Sequence, residues 1–158
     1  MIILTQVLIK YYLFEPFGIA ITLNSFGFAL LVIATVCLAA AGNVINDIFD
    51  VEADLINKPN KVLIGKKISE KAAYNLFFAL NILGVIIGFY LSNMIQKPSF
   101  TAIFIFTSAL LYLYAKSLKS YLVLGNILIS FLVAMTILIV GLFDFDAFEI
   151  AFVICFSL

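Results

Sequence analysis

GNVINDIFDVEADLINKPNK, residues Gly42 to Lys61, is a polar interruption in an apolar chain and holds four of its nine acids. An uncharged run, Phe26 to Ile45, leads directly into it. As a helix that run is long enough to cross the roughly 30 Å hydrocarbon core of a bilayer. Carried on in the same helix, Asp47, Asp50 and Asp54 recur at i, i+3 and i+7. They fall within roughly 60° of one another at about 100° per residue. Asn43 shares that face and Asn46 lies just beside it, while Glu52 points nearly the opposite way.

Like charges lined up at a membrane boundary repel one another where water screens them poorly, and such a row is tolerable when cations occupy it. Mg²⁺ takes one or two carboxylates, keeps some water and accepts phosphate oxygens. The row therefore reads as a cradle for a Mg²⁺–diphosphate. A solvated charged face is the plainer alternative, because Lys58, Lys61, Lys66, Lys67 and Lys71 follow closely. Asn43, Asn46 and the position at the mouth of a span favour the cradle. A calcium loop starting at Asp50 fails, since Leu55 stands where an EF-hand needs Gly and Lys61 where it needs Glu.

Of the 158 residues 65% are hydrophobic and 11% charged, with a mean hydropathy of +1.23. A soluble domain of this length cannot hide so much apolar surface, and the apolar runs are far longer than barrel strands. The composition predicts an all-α, polytopic transmembrane helix bundle forming a single domain over residues 1–158. Every cation is a lysine and no basic patch alternates with aromatics, so nucleic acid is not an expected partner. Cys37 and Cys155 sit in apolar runs and read as small packing residues. With no histidine, His-based acid–base chemistry and most zinc chemistry are excluded.

Five to six spans are expected. Met1 to Phe14 reads as a first span clipped at its start, because extending it to Leu23 would put Lys10, Glu15 and Pro16 in hydrocarbon. Phe26–Ile45 is the second, and Ala39 to Gly42 let a neighbouring helix approach closely. A polar loop follows from Leu55 to Glu70, with Pro59 ending the acidic helix, Gly65 loosening the chain and Ser69 capping the next helix. Further spans are expected at Ala72–Ser92, Phe100–Ala115 and Tyr121–Phe143, with a sixth beginning before Leu158. The loops after the second and fourth spans then share seven lysines on one side, against Lys97 alone in the loops of the other. By the positive-inside rule the acidic row faces the cytoplasm.

NDIFDVEAD, Asn46 to Asp54, resembles the NDxxDxxxD signature at the end of the second span of the UbiA-type intramembrane prenyltransferases. The NKPNKVLIGKKIS that follows resembles that family's continuation, departing at Val62, where the family often has Pro, and in having no Arg. The likeness runs more weakly through KSLKSYLVLGN, and the chain corresponds to the N-terminal half or so of a nine-span fold. The resemblance implies transfer of a prenyl group from a polyprenyl diphosphate to a lipophilic acceptor, within membrane lipid and with Mg²⁺ as cofactor. Asp47, Asp50 and Asp54 would hold Mg²⁺, and Asn43 and Asn46 would support them. Lys61 and Lys116 or Lys119 would contact the diphosphate. Membrane topology alone accounts equally well for the lysines. Tyr112 and Tyr114 could face the chamber or donate to a phosphate, although interfacial tyrosine is common without such a role.

The family's second aspartate motif follows its sixth span, on the same side as the first. Asp144 and Asp146 cannot replace it, because three crossings separate them from the acidic loop; an outer turn and helix cap is expected there. A truncated product with little activity of its own is therefore expected, the alternative being a non-catalytic membrane protein or subunit that at most binds prenyl lipids. The DG…AR…G…D…D pattern of CDP-alcohol phosphotransferases is absent. Acceptors within the family include aromatic rings, glycerol-phosphate lipids and porphyrins, and tail length would depend on chamber depth.

Overall fold

The computed structural model describes residues 1–16, 22–60 and 62–144. Lys61, Asp146, Glu149, Cys155 and the expected sixth span lie outside the described residues.

Among the described residues four helices are long and apolar enough to cross a membrane: Ser25–Phe49, Glu70–Met94, Pro98–Lys116 and Val123–Asp144. Each overlaps an expected span. The first helix, α1 (Ile2–Leu8), runs on as a π-helical turn over Ile9–Phe14. Next come α2 (Ser25–Phe49), a short acidic helix α3 (Val51–Asn57), and α4 (Glu70–Met94). A 3₁₀ turn at Pro98–Phe100 leads into α5 (Thr101–Lys116), and another at Leu118–Ser120 leads into α6 (Leu122–Asp144).

Local chemistry fixes the ends. Asn24 starts α2 by accepting a hydrogen bond from the Gly27 amide at 2.8 Å. Ser69 does the same for Ala72 at the start of α4, as expected, at 3.2 Å. At 1.5 Å per residue, α2 measures about 37 Å, more than the hydrocarbon thickness. That length leaves room for its last turns, with Asn46 and Asp47, to stand outside the apolar layer. Gly65 does not loosen its loop. It adopts a φ of 83°, the left-handed conformation that glycine takes at least cost, and donates to the Ile68 carbonyl at 2.8 Å.

The most extensive helix pair is α2 with α4. Lipid tails are as apolar as leucine, so close packing rather than water exclusion holds such helices together. At Gly84 a Cβ would stand 3.0 Å from the Leu38 side chain and 3.2 Å from the Ala34 carbonyl. Gly84→Val is expected to push α4 off α2 at a cost of about 1–3 kcal/mol. A thermal unfolding midpoint in detergent equal to that of the parent chain would show that no such close approach exists. The small run on α2 behaves as expected: Gly42 lies against Leu111 of α5, and Ala41 is buried.

The end of the bundle away from the acidic row holds a contact that the sequence did not signal: Lys10 of the first apolar run pairs with Asp144, expected in a turn and helix cap. The side chains are 2% and 0% exposed, and they pair at 3.2 Å. Lys10 also donates to the Leu23 carbonyl at 2.7 Å, and Asp144 accepts from the Leu23 amide at 3.0 Å. The cost of placing either charge alone in an apolar layer is met by the other, which a rule applied to single residues does not anticipate.

Among the described residues, most of the buried apolar side chains fall into two clusters. One packs Phe14, Leu23, Phe28, Leu31, Leu91, Phe104 and Phe143 together, with the Lys10 ammonium 4.8 Å over the Phe28 ring centroid. The other packs Ala41, Ile45, Ile48, Phe77 and Ala115 beneath the acidic row.

Candidate diphosphate site

The acidic row begins on the last turn of α2 and crosses a break. Asp50 closes α2 and opens α3, with φ −92° and ψ 0°. The hydrogen-bond ladder nevertheless continues through it. The Asp50 amide donates to the Asn46 carbonyl at 2.9 Å, and the Asp54 amide donates to the Asp50 carbonyl at 2.8 Å. Asp47 accordingly feels both Asp54 and Asp50 as like charges and Lys119 as an opposing one. The three carboxylates do not close on one point: among the described residues, no three acidic or thiol side chains stand close enough to hold a metal ion by themselves.

What the row does assemble is a polar cluster around Asp50. Asn46 donates its side-chain amide to one Asp50 oxygen at 2.8 Å. Lys119 donates to the other at 2.5 Å and to the Asn46 side-chain oxygen at 3.2 Å. Lys119 reaches across because α5 ends at Lys116 and the Leu118–Ser120 turn redirects the chain before α6. The ion pair is partly open to its surroundings, with side chains 24% and 30% exposed.

The other expected residues are distributed unevenly. Asn43 lies one turn before Asn46 on α2 and lines a cavity. Lys116 lies 5.9 Å over the Tyr112 ring, away from the hydrogen bonds of the cluster. Tyr112 packs edge-on against Phe49 at 5.9 Å. Tyr114 is half-buried on α5 and takes no part in the hydrogen bonds described at the cluster. Lys61 lies outside the described residues, so of the three candidate lysines Lys119 is the one seen joined to the row.

The cavity, of about 410 Å³, opens between α1, α2, α5 and α6. Leu38, Ala39, Thr107, Leu111 and Leu132 are among its walls, with Asn43 on the edge shared with the acidic row. Its first-helix wall is held by polar links that sequence reasoning passed over. Buried Gln6 donates to the Thr136 carbonyl at 3.0 Å and accepts from Thr35 at 3.1 Å. The only sequence signal was a Gln in an apolar run, and nothing in the spacing named its partners.

Chemically, the cluster offers hard oxygen donors without imidazole or thiolate. Carboxylates that share a face without closing suit an ion that takes one or two of them and completes its shell with water or phosphate oxygens. They do not suit an all-protein cage. Lys119 adds a compact cation able to pair with either a carboxylate or a phosphate.

Comparisons with known proteins concern the chain as a whole. The sequence profile of the UbiA prenyltransferase family matches residues 17–158. The digeranylgeranylglyceryl phosphate synthase of Methanobrevibacter smithii is 38% identical over 112 residues, which is 71% of this chain and 40% of that protein. The protein of the same name from Methanococcoides burtonii is 33% identical over 138 residues, 87% of this chain and 47% of that protein. A solved structure concerned with digeranylgeranylglyceryl phosphate synthase in membranes superposes with a TM-score of 0.74 at 28% identity. It covers 94% of this chain and 48% of the other. The chain thus spans about half the length, or less, of these relatives.

Proposed function

The chain belongs to the UbiA prenyltransferase family, and on that premise we propose that it serves transfer of a prenyl group from a polyprenyl diphosphate to a lipophilic acceptor. The observation that carries this reading is a juxtaposition. A Lys119–Asp50–Asn46 cluster of mixed charge and an apolar cavity share the Asn43 edge of α2. A prenyl diphosphate has the same two-part character, an anionic head on a hydrocarbon tail.

In this reading Asp47, Asp50 and Asp54 would hold one or more Mg²⁺, each ion taking one or two of the carboxylates and completing its shell with diphosphate oxygens and water, and Asn43 and Asn46 orient the head. Lys119 passes from Asp50 to a phosphate oxygen, with Lys61 and Lys116 as further contacts. Mg²⁺, when bound, would neutralise the charge that a departing diphosphate develops. Lys119 contributes to the same end, and its effect grows as charge builds on the leaving group. The apolar walls keep water from the allylic carbon. The names of the relatives favour a glyceryl phosphate lipid as acceptor. The family likeness and the four apolar helices make this an integral membrane protein, and the lysine distribution favours the cytoplasmic side for the acidic row.

Titration of the reconstituted chain with a prenyl diphosphate tests the reading, and tight binding is expected in Mg²⁺ but not in EDTA. Lys119→Gln should weaken diphosphate binding about tenfold or more, the worth of a hydrogen bond to a charged group. Mg²⁺ alone should bind it at least as well, because Asp50 loses its counter-ion. Lysine removal that leaves diphosphate affinity unchanged would sink the proposed handover.

A further inference from the structure

We propose that the Phe104 ring is the floor of the apolar cavity and sets the longest prenyl tail that the site accepts. The inference rests on the prenyl-transfer reading above and goes beyond it to a determinant of donor length.

The cavity has a direction. At one end Leu111 lies against Gly42, next to Asn43 and the acidic row. Its lining on α6 runs from Ile129 to Ile139, about 15 Å of helix at 1.5 Å per residue. At the far end stand Phe104 and Ile139, which line the cavity and also belong to the buried cluster behind it. Phe104 is 1% exposed and meets Phe143 edge-on at 5.8 Å. Beyond Phe143 the Lys10–Asp144 pair ties the end of α6 to the π-helical turn after α1. A tail growing from the acidic row therefore meets an aromatic ring backed by a fixed layer.

The ring's position depends on one glycine. A Cβ at Gly88 of α4 would stand 2.4 Å from the Phe104 ring atoms, so the ring is set back into space that any side chain at that position would take. This makes the floor adjustable in both directions. Shrinking Phe104 adds its volume to the cavity, where a tail can fill it. Adding a methyl at Gly88 drives the ring toward the tail and makes the cavity shallower.

The test uses the reconstituted chain, Mg²⁺ and a ladder of prenyl thiodiphosphates differing by one isoprene unit, with affinity read for each. Phe104→Ala and the milder Phe104→Leu are expected to raise affinity for the next longer tail, relative to the best tail of the parent, by about tenfold. Gly88→Ala is expected to shift preference toward shorter tails. Shifts of opposite sign are not what general damage to packing produces, since damage lowers affinity for every length alike. A length profile that is the same in the parent, Phe104→Leu and Gly88→Ala overturns this inference while leaving the prenyl-transfer reading standing. A parent chain that binds no tail of any length overturns both.

Discussion

Asp50→Asn is expected to remove the Mg²⁺ dependence of prenyl-diphosphate binding, lowering affinity in Mg²⁺ about 100-fold. Affinity in EDTA should stay the same or rise. The sign of the second effect follows from the cluster. In the structure the Asp50 carboxylate takes one hydrogen bond from Lys119 and another from Asn46. The amide of the variant keeps an oxygen for one of them but no longer neutralises the lysine, leaving it available to a phosphate. A change that merely disordered the helix junction would weaken binding under both conditions, so the ratio of the two affinities is the informative quantity. Equal loss with and without Mg²⁺ would refute the assignment of Asp50 as a ligand. Asp47→Asn, on the same row but outside the ion pair, should show the Mg²⁺-dependent loss without the gain in EDTA.

The features legible in the sequence are those set by local chemistry. The four long helices follow from uncharged runs and from caps such as Ser69. Contacts between distant segments were not legible. Lys116 and Lys119 are three residues apart in one short loop, and spacing alone could not choose between them. The choice is made by Ser117, whose φ of −144° ends α5, and by the 3₁₀ turn that carries Lys119 across to Asp50. The convergence of three carboxylates was expected from an unbroken helix. The ladder does continue, but the backbone changes at Asp50, and a lysine fills part of the space that the expectation left to a metal. The first partner of the acidic row is thus a lysine of its own chain.

Lys10 and Asp144 are 134 positions apart, and nothing in the sequence spacing joined them. Together they form a buried ion pair, and breaking it should be costly. Lys10→Met leaves Asp144 as an unpaired carboxylate, and Asp144→Leu leaves Lys10 as an unpaired ammonium 4.8 Å from the Phe28 ring centroid. Either single change is expected to destabilise the chain by about 3–5 kcal/mol, the usual consequence of orphaning a buried charge. The double variant Lys10→Met/Asp144→Leu leaves no charge behind, and replacing a buried pair by apolar groups is often neutral or favourable by about 1–4 kcal/mol. Here that gain is offset, because the Leu23 amide and carbonyl lose the partners they have at 3.0 and 2.7 Å. Two unsatisfied buried groups cost about 1–3 kcal/mol each. The double variant should therefore be less stable than the parent but more stable than the sum of the single changes predicts, and a double-mutant cycle on unfolding in detergent measures the difference. Strict additivity of the two single effects would mean that the charges do not meet. The layer that closes the cavity behind Phe104 would then have lost the contact that fixes it.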